Sequence, residues 1–326
     1  MIFVTGGTGF LGKTLVKTLL QQGYGVKLLA RPTSNTSFFG DAPNLKIARG
    51  DVLNAPSVEE AIQGCDVVVH AAALFRFWGR VEAFGDTNIV GTHNVLQAAA
   101  RRNVQRLIHI SSIAVAGAPP AGTVITEATP PHPVDPYQQS KLGAEKVVQS
   151  YHQTFGLDTV ILRLGALYGP WSRYAFNRLF FEEFLRGWRV QVEGGRHLTF
   201  PCFVADAAQA IASAITAGRS GEIYNICGPS VSHRALNETI SRLAGKSNWR
   251  LNTPKWLMLA LAQLMEWFSV LTKSEPYYPL NLKPYVFSDW VVDSQKAQNE
   301  LGFTPTPLEE GVRQTLDWYR QIGVGG

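Results

Sequence analysis

Residues Val4–Leu20 read "VTGGTGFLGKTLVKTLL" and continue directly from the apolar start of the chain. Gly6, Gly9 and Gly12 stand three apart between two patterned segments. Before them the run "MIFVTG" reads as a buried strand. After them, residues 10–22 place Leu11, Leu15, Leu19 and Leu20 on one helical face. Strand, glycine turn and helix form the context in which such spacing carries chemical meaning. Gly6 permits the tight turn, Gly9 lets a pyrophosphate approach the backbone, and Gly12 lets helix and strand pack closely. An anion then rests on the free N–H groups of the helix start, where the helix dipole also favours it. The stretch predicts dinucleotide binding; the competing reading is a glycine turn that serves the fold alone.

Working outward, the alternation continues. Strands are predicted at "VKLLAR" (26–31), "LKIARGD" (45–51), "DVVVHAAA" (66–73), "QRLIHISS" (105–112) and "DTVILRLG" (158–165). Helices are predicted around "SVEEAI" (57–62), over 85–101 and over 136–155. This rhythm implies βαβ units and an α/β fold built on a Rossmann-type, doubly wound parallel sheet. After Gly165 aromatic residues crowd in, over 167–188, 248–256 and 275–290. Two later pieces return to the first pattern: a helix at "FVADAAQAIASAI" (203–215) and a strand at "GEIYNICG" (221–228). The expected organisation is a nucleotide-binding domain of residues 1–164 plus about 201–226. A smaller, discontinuous C-terminal substrate lobe takes about 165–200 plus 227–326.

The chain has 326 residues, 45% apolar and 17% charged, which excludes a disordered protein. Its formal net charge of +5 is scattered, with no basic run. That favours an anionic small ligand and argues against nucleic acid as a partner. Cys65, Cys202 and Cys227 show neither metal spacing nor a disulfide framework, so no metal site and a reducing compartment are expected. The N-terminus enters a strand without the features of a signal peptide, and a cytoplasmic protein is expected. Residues 254–272, "PKWLMLALAQLMEWFSVLT", are strongly apolar but short for a membrane span, and Gln263 and Glu266 interrupt them. They read as a buried or lid helix of the second lobe. The alternative is a peripheral membrane contact, with Trp256 and Trp267 near the headgroups.

The end of the second strand bears on cofactor choice. An acid there would bind the ribose hydroxyls of NAD(H). Arg31 stands there instead, in "LLARPTS", and favours the 2′-phosphate of NADP(H); a solvated arginine is the alternative. Asp51, followed by Val52, is placed either to accept from the adenine amino group or simply to form a turn. Asp135 and Pro136 open the helix that carries "YQQSK", with Tyr137 and Lys141 one turn apart. These two are either surface neighbours or a catalytic pair. Ser112 ends the fifth strand, at the sheet edge where ligands bind. A lysine ammonium and a cationic nicotinamide would favour the tyrosine phenolate. Lys141 would also donate to the ribose, and Ser112 would hold the reacting oxygen. The three would form a proton-transfer site beside a hydride carrier.

"TGGTGFLG", "GD", "HAAA", "NIVGTHNVL", "SSIAVAG", "YQQSK" and "RLGALYGP" occur in the order of the extended short-chain dehydrogenase/reductase family. "FVADAAQA" and "SQKAQNELGFTPTPLEEGV" match its tail, and the chain resembles the family over nearly its whole length. The resemblance implies that Ser112, Tyr137 and Lys141 form the catalytic triad. It implies that Asn88 supports the lysine through water, against the alternative of a helix-facing polar residue. Further cofactor contacts would come from Thr8, Phe10 and Leu11, from Ala71, Ala72 and Ala73, and from Ser111, with Leu164 to Leu167 near the nicotinamide amide. It also suggests a homodimer through the helices at 85–101 and 136–155.

Within that family, "HAAALFRFWG" and the aromatic second lobe look more like 3β-hydroxysteroid dehydrogenases and dihydroflavonol reductases. Nucleotide-sugar epimerases and dehydratases need cations for a diphosphate, and Arg173, Arg178, Arg186, Arg189 and Arg196 are available. However, "KPYVFSDWVVD" replaces the late "R-x-G-D" type stretch associated with sugar-nucleotide members. A redox sensor that only binds NADP(H) would have no need of Ser112, Tyr137 and Lys141 together. The expectation is an NADP(H)-dependent oxidoreductase interconverting a ketone or aldehyde and an alcohol on a bulky, mostly apolar, steroid- or flavonoid-like small molecule.

Overall fold

The computed structural model describes residues 1–324; residues 325 and 326, the end of the segment expected to complete the second lobe, lie outside the described residues. Seven strands form the central sheet: β1 (Ile2–Thr5), β2 (Val26–Ala30), β3 (Leu45–Arg49), β4 (Val67–His70), β5 (Arg106–Ser112), β6 (Thr159–Leu164) and β7 (Ile223–Ile226). Their order is β7-β6-β5-β4-β1-β2-β3, and every neighbouring pair is parallel. The chain winds one way from β1 to β3 and the other way from β4 onward. The crevice beyond the carboxyl ends of β1 and β4 is therefore the switch point where ligands bind.

Strands covered on both faces explain the near-continuous apolar runs of β1, β4 and β6. One face packs Leu15, Val16 and Leu19 of the first helix (Phe10–Gln21) with Ala207 and Ile211 of the helix Val204–Ala217. The other packs Val95 and Leu96 with Val148 and Tyr151, from the helices Gly91–Arg101 and Pro136–Phe155. The glycine turn is sterically obligatory. A Cβ on Gly12 would stand 2.2 Å from the Gly6 carbonyl oxygen. Gly6 has φ +72° and would press a Cβ to 2.6 Å from the Ala71 backbone.

Two expected elements differ. The single helix read over 85–101 begins at Val81 and contains a π-helical turn, Asp86–Val90, before Gly91–Arg101. That turn holds Asn88 buried, and the Thr92 hydroxyl donates to the Asn88 carbonyl at 2.6 Å. Of the buried or lid helix expected over 254–272, the buried form is not what is seen: in Lys255–Thr272 Ala262 and Ser269 are buried, Met258 and Leu259 line a cavity beneath it, and Trp256, Leu264, Trp267, Phe268 and Leu271 face outward. No helix among the described residues is long and apolar enough to cross a membrane.

Between β6 and β7, and again after β7, the chain makes short strand pairs outside the sheet. Ala166–Tyr168 runs parallel to Pro201–Phe203, and Val190–Val192 runs parallel to Leu251–Thr253. Some of the crowded aromatics form a second core, in which Tyr168, Phe181, Phe184, Phe203 and Tyr319 are buried together. Trp290 is wholly buried and stacks on Phe200 at 4.5 Å. Tyr174, Phe176, Phe180 and Tyr285 line the crevice, whereas Trp171, Trp188, Trp249 and Trp256 are exposed.

Candidate active site

A cavity of about 570 Å³ opens at the switch point. Its floor at one end is the glycine turn, where Gly6, Thr8, Gly9, Phe10, Leu11 and Gly12 all line the wall. Gly9 supplies no side-chain cap to the first helix, and no acid stands in its first turn. The first-turn N–H groups lack intrahelical acceptors and face the cavity. This cradle, with glycines at 6, 9 and 12 and no acidic side chain in the helix start, fits a dinucleotide pyrophosphate. Ala71, Ala72 and Ala73 line the adjacent wall, as do Asp51, Val52, Leu164 and Leu167.

Arg31 stands exposed at the rim, and Ser34, which sequence reading missed, lines the wall beside it. Ser34 donates its backbone N–H to the Arg31 carbonyl at 2.9 Å, so a turn brings the two together. Asp51 does what a turn-forming aspartate does: its Oδ1 accepts from the Leu53 N–H at 3.0 Å. It nevertheless lines the cavity as well.

Ser112, Tyr137 and Lys141 meet at the centre. The Asp135 Oδ1 accepts from the Gln138 N–H at 2.8 Å, and Pro136 occupies the first turn, so the helix start is fixed just before Tyr137. The Tyr137 ring packs on Phe75, with centroids 4.8 Å apart, and Ser112 lines the same cavity. Burial pushes the Tyr137 phenol above its ordinary range; the Ser112 hydroxyl pulls the other way, and the Asp135 charge adds to the rise. Lys141 is itself buried and donates from Nζ to the Ile110 carbonyl at 2.6 Å. Burial lowers the Lys141 ammonium to about 8, with Glu145 opposing. Tyr137 is thus held as an acid, and Lys141 is the group that titrates near neutrality.

That gives a pH test. Only the protonated lysine attracts an anionic dinucleotide, and it is lost as pH rises through about 8. If only that form binds, NADPH affinity falls about tenfold between pH 7 and 9. In Lys141→Met, binding is weaker and flat over the same range. Equal pH profiles in fluorescence titrations of the two proteins would refute the assignment.

Ser111 lines the cavity, but its hydroxyl donates to Glu145 Oε1 at 2.5 Å. Arg163 pairs with the same carboxylate through Nε at 2.9 Å and Nη2 at 2.8 Å, and both charges are almost fully buried. Asn88 is the expected catalytic residue that the structure keeps out of the cavity. Its Oδ1 accepts from the Leu74 N–H at 2.7 Å, and its Nδ2 donates to the Leu74 carbonyl at 3.1 Å and to Ser140 Oγ at 2.8 Å. With its amide fully used, Asn88 ties the 71–75 wall to the Tyr137 helix. Behind Lys141, His70 hydrogen-bonds Thr5 and Thr92, and burial holds it neutral, down at about 3.

Beyond Tyr137 the walls belong to the second part of the chain. Phe75, Phe77, Tyr174, Phe176, Phe180 and Tyr285 line this end, with His233 at its far side. Sequence reading saw aromatic crowding but had no period by which to separate core from lining, and His233 carried no signal. The five arginines considered for a diphosphate lie elsewhere. Arg173 and Arg186 pair with Glu182, and Arg196 pairs with Glu193. Arg178 donates to the Tyr277 carbonyl, and Arg189 lies over the Phe184 ring. Among the described residues no cluster suits a metal ion.

Comparison with known proteins identifies the family of the chain. The sequence model of the NAD dependent epimerase/dehydratase family matches residues 2–227. A dTDP-glucose 4,6-dehydratase of Streptomyces niveus is 30% identical, over 98% of this chain and 92% of its own. A 4-hydroxy-2-methyl-3-oxo-4-farnesyl-3,4-dihydroquinoline-1-oxide ketoreductase of Stigmatella aurantiaca is also 30% identical, over 99% and 97%. Among solved structures, the dTDP-glucose 4,6-dehydratase DesIV of Streptomyces venezuelae, with NAD bound, superposes with a TM-score of 0.81 at 28% identity, covering 98% of this chain and 97% of that one. With a Rossmann sheet, a dinucleotide cradle and a family match over two-thirds of its length, the chain belongs to the NAD dependent epimerase/dehydratase family and is an NAD(P)-dependent enzyme of the extended short-chain dehydrogenase/reductase type.

Proposed function

We propose that the protein is an NADP(H)-dependent oxidoreductase that interconverts a carbonyl and an alcohol on a bulky, mostly apolar small molecule. The observation that carries this reading is the chemistry of the wall beyond Tyr137. Among the described residues lining that end there are aromatic, aliphatic and neutral polar side chains, and no Arg, Lys, Asp or Glu. A nucleotide sugar brings a diphosphate that would sit there without a cation. An apolar ketone would find matching walls.

The cofactor, when bound, supplies or accepts a hydride at the carbonyl carbon. The chain's own residues handle the rest. Ser112 holds the oxygen, and Tyr137 gives its phenolic proton as the oxygen gains charge. Lys141 binds the cofactor ribose and stabilises the phenolate left behind. Arg31, joined by Ser34, is placed for a 2′-phosphate, which supports NADP(H) over NAD(H). Arg31→Asp is expected to reverse the preference for NADPH over NADH, by at least about tenfold in kcat/KM. An unchanged ratio would assign that discrimination to another residue.

The likeness to dTDP-glucose 4,6-dehydratases favours a second reading, conversion of a nucleotide sugar with no net cofactor use. One screen separates the two. Purified protein is offered apolar ketones with NADPH, followed by absorbance, and nucleotide sugars, followed by chromatography. NADPH oxidation with an apolar ketone supports the reductase. A new sugar product without cofactor consumption supports the dehydratase or epimerase.

A further inference from the structure

The helix Lys255–Thr272 turns its polar side chains inward and its largest apolar ones outward. Glu266 accepts from the Leu280 N–H at 2.8 Å, Lys255 lies over the Phe287 ring, and the Ser269 hydroxyl donates to the Met265 carbonyl. Trp256, Leu257, Leu264, Trp267, Phe268 and Leu271 fall on the opposite side and are between 43% and 80% exposed. This stripe, on a helix about 27 Å long, carries no charged residue.

Cations and tryptophans flank the stripe. Just before the helix, the Leu251 N–H donates to the Arg189 carbonyl at 2.7 Å, which sets Trp188-Arg189 beside Trp249-Arg250. Both tryptophans are exposed, and both guanidiniums lie over the Phe184 ring. Exposed Lys273 follows the last turn. Apolar side chains framed by indole rings and followed by an exposed cation match an anionic bilayer surface: the stripe meets acyl chains, tryptophans sit at headgroup depth, and Lys273, on a chain of net charge +5, meets lipid phosphates.

We propose that this helix seats the protein in the plane of an anionic lipid bilayer. Its inner face gives the docking a purpose. Met258, Leu259 and Ala262 line a second cavity of about 110 Å³, which shares Leu179, Phe180, His233, Leu282 and Val286 with the wall of the main one. The helix thus stands between the bilayer and the reaction site. Building on the proposed activity, its substrate is a lipophilic carbonyl compound drawn from the membrane. The docking itself does not depend on that reading.

The test uses the full chain and co-sedimentation with phosphatidylcholine vesicles, with and without phosphatidylglycerol, in the absence of substrate. Binding to the anionic vesicles is expected. It should fall at least about tenfold in the variant Trp256→Ser/Trp267→Ser/Phe268→Ser/Leu271→Ser. Circular dichroism and NADPH binding verify the fold of that variant. Failure of the parent to bind anionic vesicles overturns the docking, as does undiminished binding by the folded variant. A parent that ignores vesicles but forms a dimer dissolved by the same substitutions overturns it too, and identifies a second copy as the occupant. A protein that binds vesicles but reduces no ketone leaves the docking standing and removes the proposed activity.

Discussion

Tyr137→Phe is expected to lower turnover by about 10²–10⁴-fold while leaving NADPH affinity within about twofold. The phenylalanine keeps the ring contact with Phe75, at 4.8 Å between centroids in the parent, so the wall is preserved. What disappears is one O–H. Burial holds that phenol protonated, and it lines the same cavity as Ser112. An interaction made only as charge develops on the substrate oxygen should reduce kcat and kcat/KM together. Steady-state kinetics on a ketone found by the screen, with NADPH titrated separately, measures both quantities. Turnover equal to the parent's would remove Tyr137 from the proton-transfer role.

The second large effect lies beneath the site. Glu145→Leu should destabilise the protein by about 3–5 kcal/mol, because it strands a buried cation on Arg163. It also takes the acceptor from Ser111 and the charge that holds up the affinity of Lys141 for its proton. The double variant Glu145→Leu/Arg163→Leu should recover most of the loss, since apolar replacement of a whole buried pair is often neutral. Chemical denaturation of the three proteins measures this. A single variant as stable as the parent would mean that the pair is dispensable. In any folded Glu145→Leu protein, the pH step in NADPH binding should move below that of the parent.

The sheet and the nucleotide end of the cavity were legible because their determinants are local. Gly6 and Gly12 announce a turn that no other residue fits, and the apolar runs of β1, β4, β5 and β6 announce buried parallel strands. Tyr137 and Lys141 were legible as a pair because helical spacing alone puts them on one face. The rest depends on contacts between distant segments. Asn88 was expected to support Lys141 through water. Which polar atoms its amide meets is set by Leu74 and Ser140, and by a π-turn that no periodicity signals. Whether Phe184 is core and Phe180 lining is decided by tertiary packing, since both sit in one aromatic run. The helix Lys255–Thr272 was read from hydropathy as a buried or lid helix, or as an interfacial one. The direction of its side chains separates those readings only in part: it excludes full burial.

The return of the chain to β7 has a consequence for biogenesis. β6 pairs with β7 along Ile161–Leu164, and about sixty residues separate the two strands. During synthesis the outer edge of β6, with the sequence "TVILRL", stays open until residues 223–226 have emerged and crossed back. An open apolar edge is a template for pairing with other chains. The nascent protein is therefore most vulnerable to aggregation late in translation, after the nucleotide cradle has formed. Fragments ending between residues 165 and 222 should be insoluble where the full chain is not.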